Sequence, residues 1–220
     1  MKSSHILCKV DDLSAAIDAF RAAGFEVEWG NDPATAINAL IWFESGPFLE
    51  LIDAEGARPP VEVPWIDRFD RWRDQAPGWC DLALETDSDA TPETEAARAA
   101  GLEIAGPFAN HRTPPGGVTV HIRTSFPHDQ HLPFFMGAYQ PNPRPSAVDH
   151  PNGAVAVTSI SFGIDDGRRT ELDHLVDADD PWLVPTSDGP GVRSVTIRGL
   201  REPIPADAVS GAVILRAEDG

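Results

Sequence analysis

Two stretches of the chain repeat the same order of apolar and polar positions. Residues 21–27 read Arg-Ala-Ala-Gly-Phe-Glu-Val, and residues 98–104 read Arg-Ala-Ala-Gly-Leu-Glu-Ile. A strand-like run precedes each copy, in residues 5–10 and 80–85, and the second run alternates apolar and polar side chains. An internal repeat with matching surroundings indicates a duplicated supersecondary unit.

A helix is predicted between the strand and the repeat in both copies. In the first copy Leu13, Ile17 and Phe20 recur at spacings of four and three, which places them on one helix face. Gly24 ends this helix, because a residue without a Cβ adopts the left-handed conformation at no cost. The second copy has the same arrangement over residues 91–101, with fewer large apolar side chains.

Three further strand-like runs follow each helix, so both copies are predicted to be βαβββ modules. These runs are residues 25–29, 39–43 and 48–52 in the first module and residues 102–104, 118–123 and 132–136 in the second.

The sequence therefore predicts an α+β fold with tandem βαβββ modules and a shorter C-terminal βαββ unit. The first module covers residues 1–53 and the second covers residues 79–139. Residues 54–78 form a linker, in which Trp65, Phe69 and Trp72 have the spacing of one helix stripe. Residues 140–220 begin with a loop rich in proline and asparagine and continue as a partial third module, with strands predicted over 157–164, 192–197 and 212–215.

Charge and composition narrow the functional classes. The 220 residues carry a formal net charge of −18, which repels phosphate backbones and acidic membrane surfaces, so neither is expected as a partner. No stretch approaches the roughly 20 apolar residues that span a bilayer, and no export signal is evident. The two cysteines, Cys8 and Cys80, lie in apolar runs and form no CxxC pair. A cytoplasmic protein is expected.

Several short segments carry a family resemblance when taken in order. They are His5 at the start of the first strand, Asn38-Ala39-Leu40, Phe48 to Ile52, Leu132 to Phe135 and His150 to Ala154. Over residues 4 to about 164 the chain resembles the glyoxalase-like branch of the vicinal-oxygen-chelate superfamily. The resemblance implies a half-open sheet around a cavity, with metal ligands on the first and last strands of each module. Because members include lyases, epimerases, dioxygenases and drug-sequestering proteins, the fold alone leaves the function open.

His5 and Glu50 match the ligand positions of the first module. An imidazole and a carboxylate are suitable ligands for a divalent metal ion, and Glu50 has apolar neighbours on both sides, so its charge needs a partner if it is buried. The alternative is a histidine at a strand edge and a solvated glutamate.

The second module departs from the ligand pattern that the resemblance implies. Asp81 is the counterpart of His5 in one alignment, whereas the ungapped repeat places Leu82 there. Met136 stands where a carboxylate is expected, and a thioether is a poor ligand for a hard divalent ion. We predict a divalent metal site from His5, Glu50 and Asp81, with the identity of the metal open.

Other polar and aromatic residues are candidates for the cavity. His121 and Arg123 share one face of a predicted strand, where His121 could act as a base and Arg123 could hold an anionic group, unless that face points to solvent. Trp42 is a candidate for the cavity wall, with core packing as the alternative. Glu50 and His121 are the catalytic candidates, and Trp42, His121 and Arg123 are the candidates for substrate binding.

Three functional hypotheses follow from these residues. The leading one is a metal-assisted lyase or isomerase that acts on a small oxygenated metabolite. The alternatives are a non-catalytic small-molecule binder of the sequestering type and a metal-free enzyme that uses a cavity base. All three have a small-molecule ligand, and a homodimer is left open.

Overall fold

The structure is a computed structural model that describes residues 1–57 and 67–218. The strands are β1 (Lys2–Val10), β2 (Glu28–Trp29), β3 (Asn38–Ile41), β4 (Phe48–Asp53), β5 (Gly78–Glu85), β6 (Ile104–Arg112), β7 (Val120–Pro127), β8 (Phe134–Met136), β9 (Ala156–Gly163), β10 (Leu183–Thr186), β11 (Gly191–Arg198) and β12 (Ile214–Arg216). The helices are α1 (Leu13–Ala22), α2 (Arg68–Asp74), α3 (Thr91–Ala99) and α4 (Asp166–Leu175), with a 3₁₀ turn over Ala206–Val209.

Eight strands from the two modules form one sheet, in the order β2-β3-β4-β1-β5-β8-β7-β6. The first strands of the modules, β1 and β5, pair antiparallel at its centre. Each is flanked by the last strand of its own module, because β1 pairs parallel with β4 and β5 pairs parallel with β8. The predicted α+β fold of tandem βαβββ modules in a half-open sheet is confirmed.

Helix α1 covers the convex face of this sheet with the apolar stripe that the sequence predicts. Leu13, Ile17 and Phe20 are buried, and Asp12 caps the helix by accepting a hydrogen bond from the backbone N–H of Ala15 at 2.9 Å. The chain leaves the helix through Gly24, whose φ is +84°.

Helix α2 lies on the concave face and covers one end of it. Its Phe69 and Trp72 pack in one apolar cluster with Leu7 and Phe134 of the sheet. Lys9 of β1 attaches the helix to the sheet, because its Nζ donates a hydrogen bond to the carbonyl oxygen of Arg73 at 2.8 Å. Of the predicted apolar stripe, Trp65 lies outside the described residues.

The C-terminal unit is a separate four-stranded sheet in the order β10-β9-β11-β12. Strand β10 was not predicted, and it pairs parallel with β9 after helix α4. Buried side chains of this sheet, such as Ile160 and Val195, belong to the same core cluster as α1 and the convex face of the main sheet. The concave face beyond α2 therefore remains available for a cavity.

Strand β6 at the edge of the main sheet is longer than the predicted run of residues 102–104. It accommodates Gly106 and Pro107 at an irregularity between Ala105 and Phe108, and then continues to Arg112. Its end thereby reaches the mouth of the concave face. Among the described residues, no helix has both the length and the apolar character needed to cross a membrane.

Candidate functional site

A cavity of about 250 Å³ lies on the concave face and is lined by residues of both modules. Most of the wall is apolar, and six of these side chains are Leu7, Leu40, Ile52, Val120, Ile122 and Phe134. A few polar side chains interrupt it, including His5, Asn38, Glu50, Arg112, Thr124 and Tyr139. An apolar pocket with a few convergent polar groups is the usual form of a small-molecule site.

His5 and Glu50 meet in this cavity. His5 lies opposite Phe48 in the parallel pair of β1 and β4, and Glu50 follows two positions later, so both side chains point to the same face. His5 Nε2 is 3.1 Å from Glu50 Oε2, and only 4% and 13% of the two side chains are exposed. The sequence analysis predicted that these two residues share a face and converge, and the structure brings them together.

Glu50 is held in its ionised form by its neighbours. Burial by itself would raise the pKa of Glu50, but the hydrogen bond and charge of His5, together with Asn38 and Arg112, lower that pKa below its ordinary value. The amide Nδ2 of Asn38, in the next strand, donates to Glu50 Oε1 at 2.8 Å. Both carboxylate oxygens of Glu50 therefore have a partner in the protein.

The second ring nitrogen of His5 is also engaged. Ser4 lies at a register shift between β1 and β5, and such a bulge re-aims a side chain. Its Oγ is 3.2 Å from His5 Nδ1 and donates to Glu85 Oε2 at 2.7 Å. Because the Ser4 hydroxyl gives its proton to Glu85, its oxygen accepts the Nδ1–H of His5. The Nε2 atom is then the ring position that faces Glu50 and the cavity.

Aromatic rings fix the plane of the imidazole. Phe48 stacks on His5 with a centroid distance of 4.6 Å and an interplanar angle of 19°. Phe134 of the second module meets the same ring edge-on at 5.9 Å. The orientation of His5 is therefore set by packing as well as by hydrogen bonds.

Arg112 and Tyr139 are two of the cavity residues that were not among the predicted site residues. Arg112, at the end of β6, lines the cavity and has an Nη2 atom that is buried without a hydrogen-bond partner. Tyr139 also lines it, and burial, with the nearby charge of Glu50, raises the pKa of its phenol. Tyr139 is the single tyrosine of the chain, and no periodic pattern marks it.

The model of the glyoxalase-like domain matches residues 4–176 of this chain. The chain belongs to the glyoxalase-like domain family. No curated protein is significantly similar to it. The predicted relationship to the glyoxalase-like branch of the vicinal-oxygen-chelate superfamily is confirmed.

Solved structures with the same architecture are distant in sequence. A hypothetical protein from Staphylococcus aureus is 13% identical, with 98% of each chain covered and a TM-score of 0.69. The Mn(II)-bound glyoxalase from Novosphingobium aromaticivorans is 14% identical over 90% of this chain and 65% of its own, with a TM-score of 0.54. A Streptomyces coelicolor methylmalonyl-CoA epimerase is 19% identical over 62% of this chain and 95% of its own, with a TM-score of 0.42. For the first two structures, identities this low show a shared fold alone.

The second module of this glyoxalase-like domain offers no ligands that match His5 and Glu50. The register of β5 against β8 repeats that of β1 against β4, with Ala83 in the place of His5 and Met136 in the place of Glu50. Within residues 1–57 and 67–218, no group of three or more His, Cys, Asp or Glu side chains is arranged to hold a metal ion. The donor set of the described residues therefore does not fit a four-ligand metal centre.

Asp81 is not brought to His5 and Glu50, contrary to the predicted ligand set. Its Oδ2 accepts hydrogen bonds from Arg68 at 2.6 Å, from Arg71 at 3.0 Å and from Trp72 Nε1 at 2.9 Å. The hydrogen bonds of this carboxylate thus attach α2 to the sheet, and the carboxylate does not line the cavity. In the register of β1 and β5, Ala83 lies opposite His5 and Asp81 lies opposite Leu7, two residues before Ala83 in β5, which the repeat in the sequence does not reveal.

His121 and Arg123, the candidates for a cavity base and an anion-binding arginine, are exposed and do not line the cavity. Strand β7 alternates, and Val120, Ile122 and Thr124 line the cavity while the two predicted residues are exposed. Alternation fixes which residues share a face, but only the packed sheet decides which face is concave.

Trp42 lies behind the cavity wall instead of forming it. Its ring packs on Phe48 with a centroid distance of 4.1 Å, and its Nε1 donates to Glu28 at 3.0 Å. It therefore supports the ring that stacks on His5, and the alternative of core packing describes it better than ligand contact.

Proposed function

We propose that this protein is a small-molecule enzyme that moves a proton to or from a small oxygenated metabolite, with His5 and Glu50 as the proton-transferring pair. The observation that carries the proposal is the direct contact of these two side chains, 3.1 Å apart and nearly buried, on the wall of an apolar cavity. General acid–base groups in such positions contribute roughly 10²- to 10⁴-fold to a reaction rate.

Each atom of the pair has a defined part in this chemistry. The hydroxyl oxygen of Ser4 accepts a hydrogen bond from His5 Nδ1–H, and Asn38 donates a hydrogen bond to Glu50 Oε1. Oε2 of the ionised Glu50 carboxylate is the base of the pair. It would accept the proton of the carbon next to the carbonyl group of a bound compound, and it would return that proton to the same compound or to water, as lyases and isomerases of carbonyl compounds require.

Hydrogen-bond donors are available for the charge that develops on the carbonyl oxygen. Arg112 has a free buried Nη2, and the raised pKa of Tyr139 keeps its hydroxyl protonated. Preorganised donors in a water-poor cavity stabilise such an oxyanion far better than water does.

Proton exchange with solvent tests the proposal directly. The protein is incubated in D₂O with a panel of short 2-oxo and 3-oxo acids, and replacement of C–H by C–D is followed by proton NMR. We expect enzyme-dependent exchange for at least one compound, reduced about 10²- to 10⁴-fold in Glu50→Gln. Glu44→Gln is the matched control, because it makes the same chemical change at an exposed position.

The two rival functions predict other results in the same experiments. A non-catalytic binder, which the Ala83 and Met136 positions favour, would shift ligand signals without exchange in any compound. A metal-assisted lyase or isomerase would contain a stoichiometric divalent ion in elemental analysis of the purified protein, and Glu50→Ala would lose that ion.

A further inference from the structure

The cavity contains an arginine, Arg112, that forms no ion pair with the described carboxylates. Among the described residues, no carboxylate lies within ion-pair distance of Arg112, although the whole chain has 35 acidic and only 17 basic residues. An arginine without an ion pair, in a protein with this many carboxylates, indicates a position where a ligand supplies the negative charge.

The guanidinium of Arg112 is held in place from two sides. Its Nη1 donates to the carbonyl oxygen of Gly30 at 3.3 Å, and its central carbon lies 6.0 Å from the centre of the Trp42 ring. Its Nη2 is buried and has no hydrogen-bond partner among residues 1–57 and 67–218. Because a buried donor without a partner costs free energy, this atom is a preorganised position for an acceptor from a ligand.

Glu50 is not the missing counterion. Its Oε2 contacts His5 Nε2, and its Oε1 accepts from Asn38 at 2.8 Å. Both oxygens of Glu50 thus have other hydrogen-bond partners, and Arg112 acts on Glu50 only through its charge, which lowers the pKa of the carboxylate. Thr124 Oγ1, also in the cavity wall, is a second buried polar atom without a partner.

We infer that the ligand of this cavity is a short-chain carboxylate, with its carboxylate on Arg112 and its apolar body against the walls. The reaction of this carboxylate rests on the proposed function, whereas its binding to Arg112 does not. A guanidinium fork matches a carboxylate, and one arginine balances a single negative charge. The cavity of about 250 Å³ limits the ligand to a small molecule.

The length and the charge of the ligand can be varied separately to test this inference. We would titrate the protein with the straight-chain acids from acetate to hexanoate and with their primary amides, and follow binding by ligand-detected NMR. The acids should bind more tightly than the amides by about 10- to 100-fold, the range for a charge-assisted hydrogen bond. Affinity should rise with chain length and then collapse when the chain no longer fits.

Two variants assign the effect to Arg112. Arg112→Gln should lose the preference for acids over amides, and Arg112→Lys should keep part of it, since the charge remains while the fork is lost. Arg123→Gln, the same change at an exposed position of the neighbouring strand, should bind as the wild type does. The wild type and Arg112→Lys are compared at equal folded fraction, measured by circular dichroism.

Three results would overturn the inference: equal binding of acids and amides, no saturable binding of any of these compounds, or tighter binding of inorganic phosphate than of every acid. Failure of the proposed function looks different. Acids would then bind through Arg112 as expected, while none of the oxo acids would exchange a proton in D₂O.

Discussion

Arg68 and Asp81 form an ion pair at 2.6 Å that joins helix α2 to the central strand β5, with 1% and 4% of their side chains exposed. Arg68 also donates to the carbonyl oxygen of Leu132 at 2.9 Å, and Trp72 donates to Asp81. The helix that closes one end of the cavity is therefore attached to the sheet by a buried, hydrogen-bonded charge pair.

Replacing Asp81 with asparagine should destabilise the protein strongly. The change leaves the buried guanidinium of Arg68 without its counterion, and breaking a buried pair in this way costs about 3–5 kcal/mol. Urea unfolding of Asp81→Asn measures this cost. Asp70→Asn is the control, because Asp70 is 63% exposed and its surface ion pair contributes about 0–1 kcal/mol. Unchanged stability with loss of a bound metal would instead assign Asp81 to a metal site.

Removing the Ser4 hydroxyl should change the hydrogen bonding and orientation of the His5 ring without unfolding the protein. In Ser4→Ala the Nδ1–H of His5 loses its acceptor, so the ring is no longer held as the tautomer that presents Nε2 to Glu50. We expect the exchange activity to fall about tenfold and its pH profile to shift, with a stability loss of about 1 kcal/mol. Ser159→Ala in the second sheet serves as the matched control. A lower melting temperature with an unchanged pH profile would make Ser4 a purely structural residue.

Adding a methyl group at Gly30 should weaken the hydrogen bond that Asn38 donates to Glu50. A Cβ at this position would lie 1.9 Å from Asn38 Oδ1, so the amide that donates to Glu50 has to move. Gly30→Ala should therefore raise the pKa of Glu50 toward its ordinary value and weaken carboxylate binding, which NMR titration detects. In Gly167→Ala the new Cβ meets only the flexible Asp165 side chain at 3.3 Å, so this control should leave both quantities unchanged.

His150 should make stability depend on pH in the mildly acidic range. Its Nδ1 accepts from the backbone N–H of Glu26 at 2.9 Å and its Nε2 contacts the carbonyl oxygen of Trp42 at 2.8 Å, so the folded protein binds the neutral ring. Burial lowers the pKa of His150 below 6.5, although the Trp42 carbonyl and nearby acidic groups oppose this.

The sign of this pH effect follows from proton binding. Below pH 6.5 the unfolded chain takes up a proton at His150 before the folded protein does, so stability is complete above this pH and falls as the pH decreases toward the lowered pKa. The slope is at most about 1.4 kcal/mol per pH unit for one group. Urea unfolding between pH 7 and pH 5 should show this slope in the wild type and in His174→Asn, an exposed control. The slope should be smaller in His150→Asn, and equal slopes in all three proteins would contradict the assignment.

Local patterns were sufficient to predict the modules. The repeat at Gly24 and Gly101, the stripe of Leu13, Ile17 and Phe20 and the runs of β-forming residues depend on neighbours along the chain, and the structure has the corresponding helices and strands. The antiparallel pairing of β1 with β5 was not predicted. Strand β10 escaped prediction, because its four residues, half of them proline or threonine, carry little apolar pattern.

The sequence by itself determined that His5 and Glu50 share a cavity, because a strand that begins with histidine and an apolar strand around a glutamate match one family at both positions. Only the tertiary structure decided the rest of the site. Alternation along β7 does not show which of its two faces lines the cavity. In the curled sheet Thr124 lies on the cavity side and His121 lies on the outer side. The packing of helix α2 on β5 paired Asp81 with Arg68, and the end of β6 brought Arg112 to the cavity. Such choices depend on register and curvature, which arise from contacts between residues far apart in the chain.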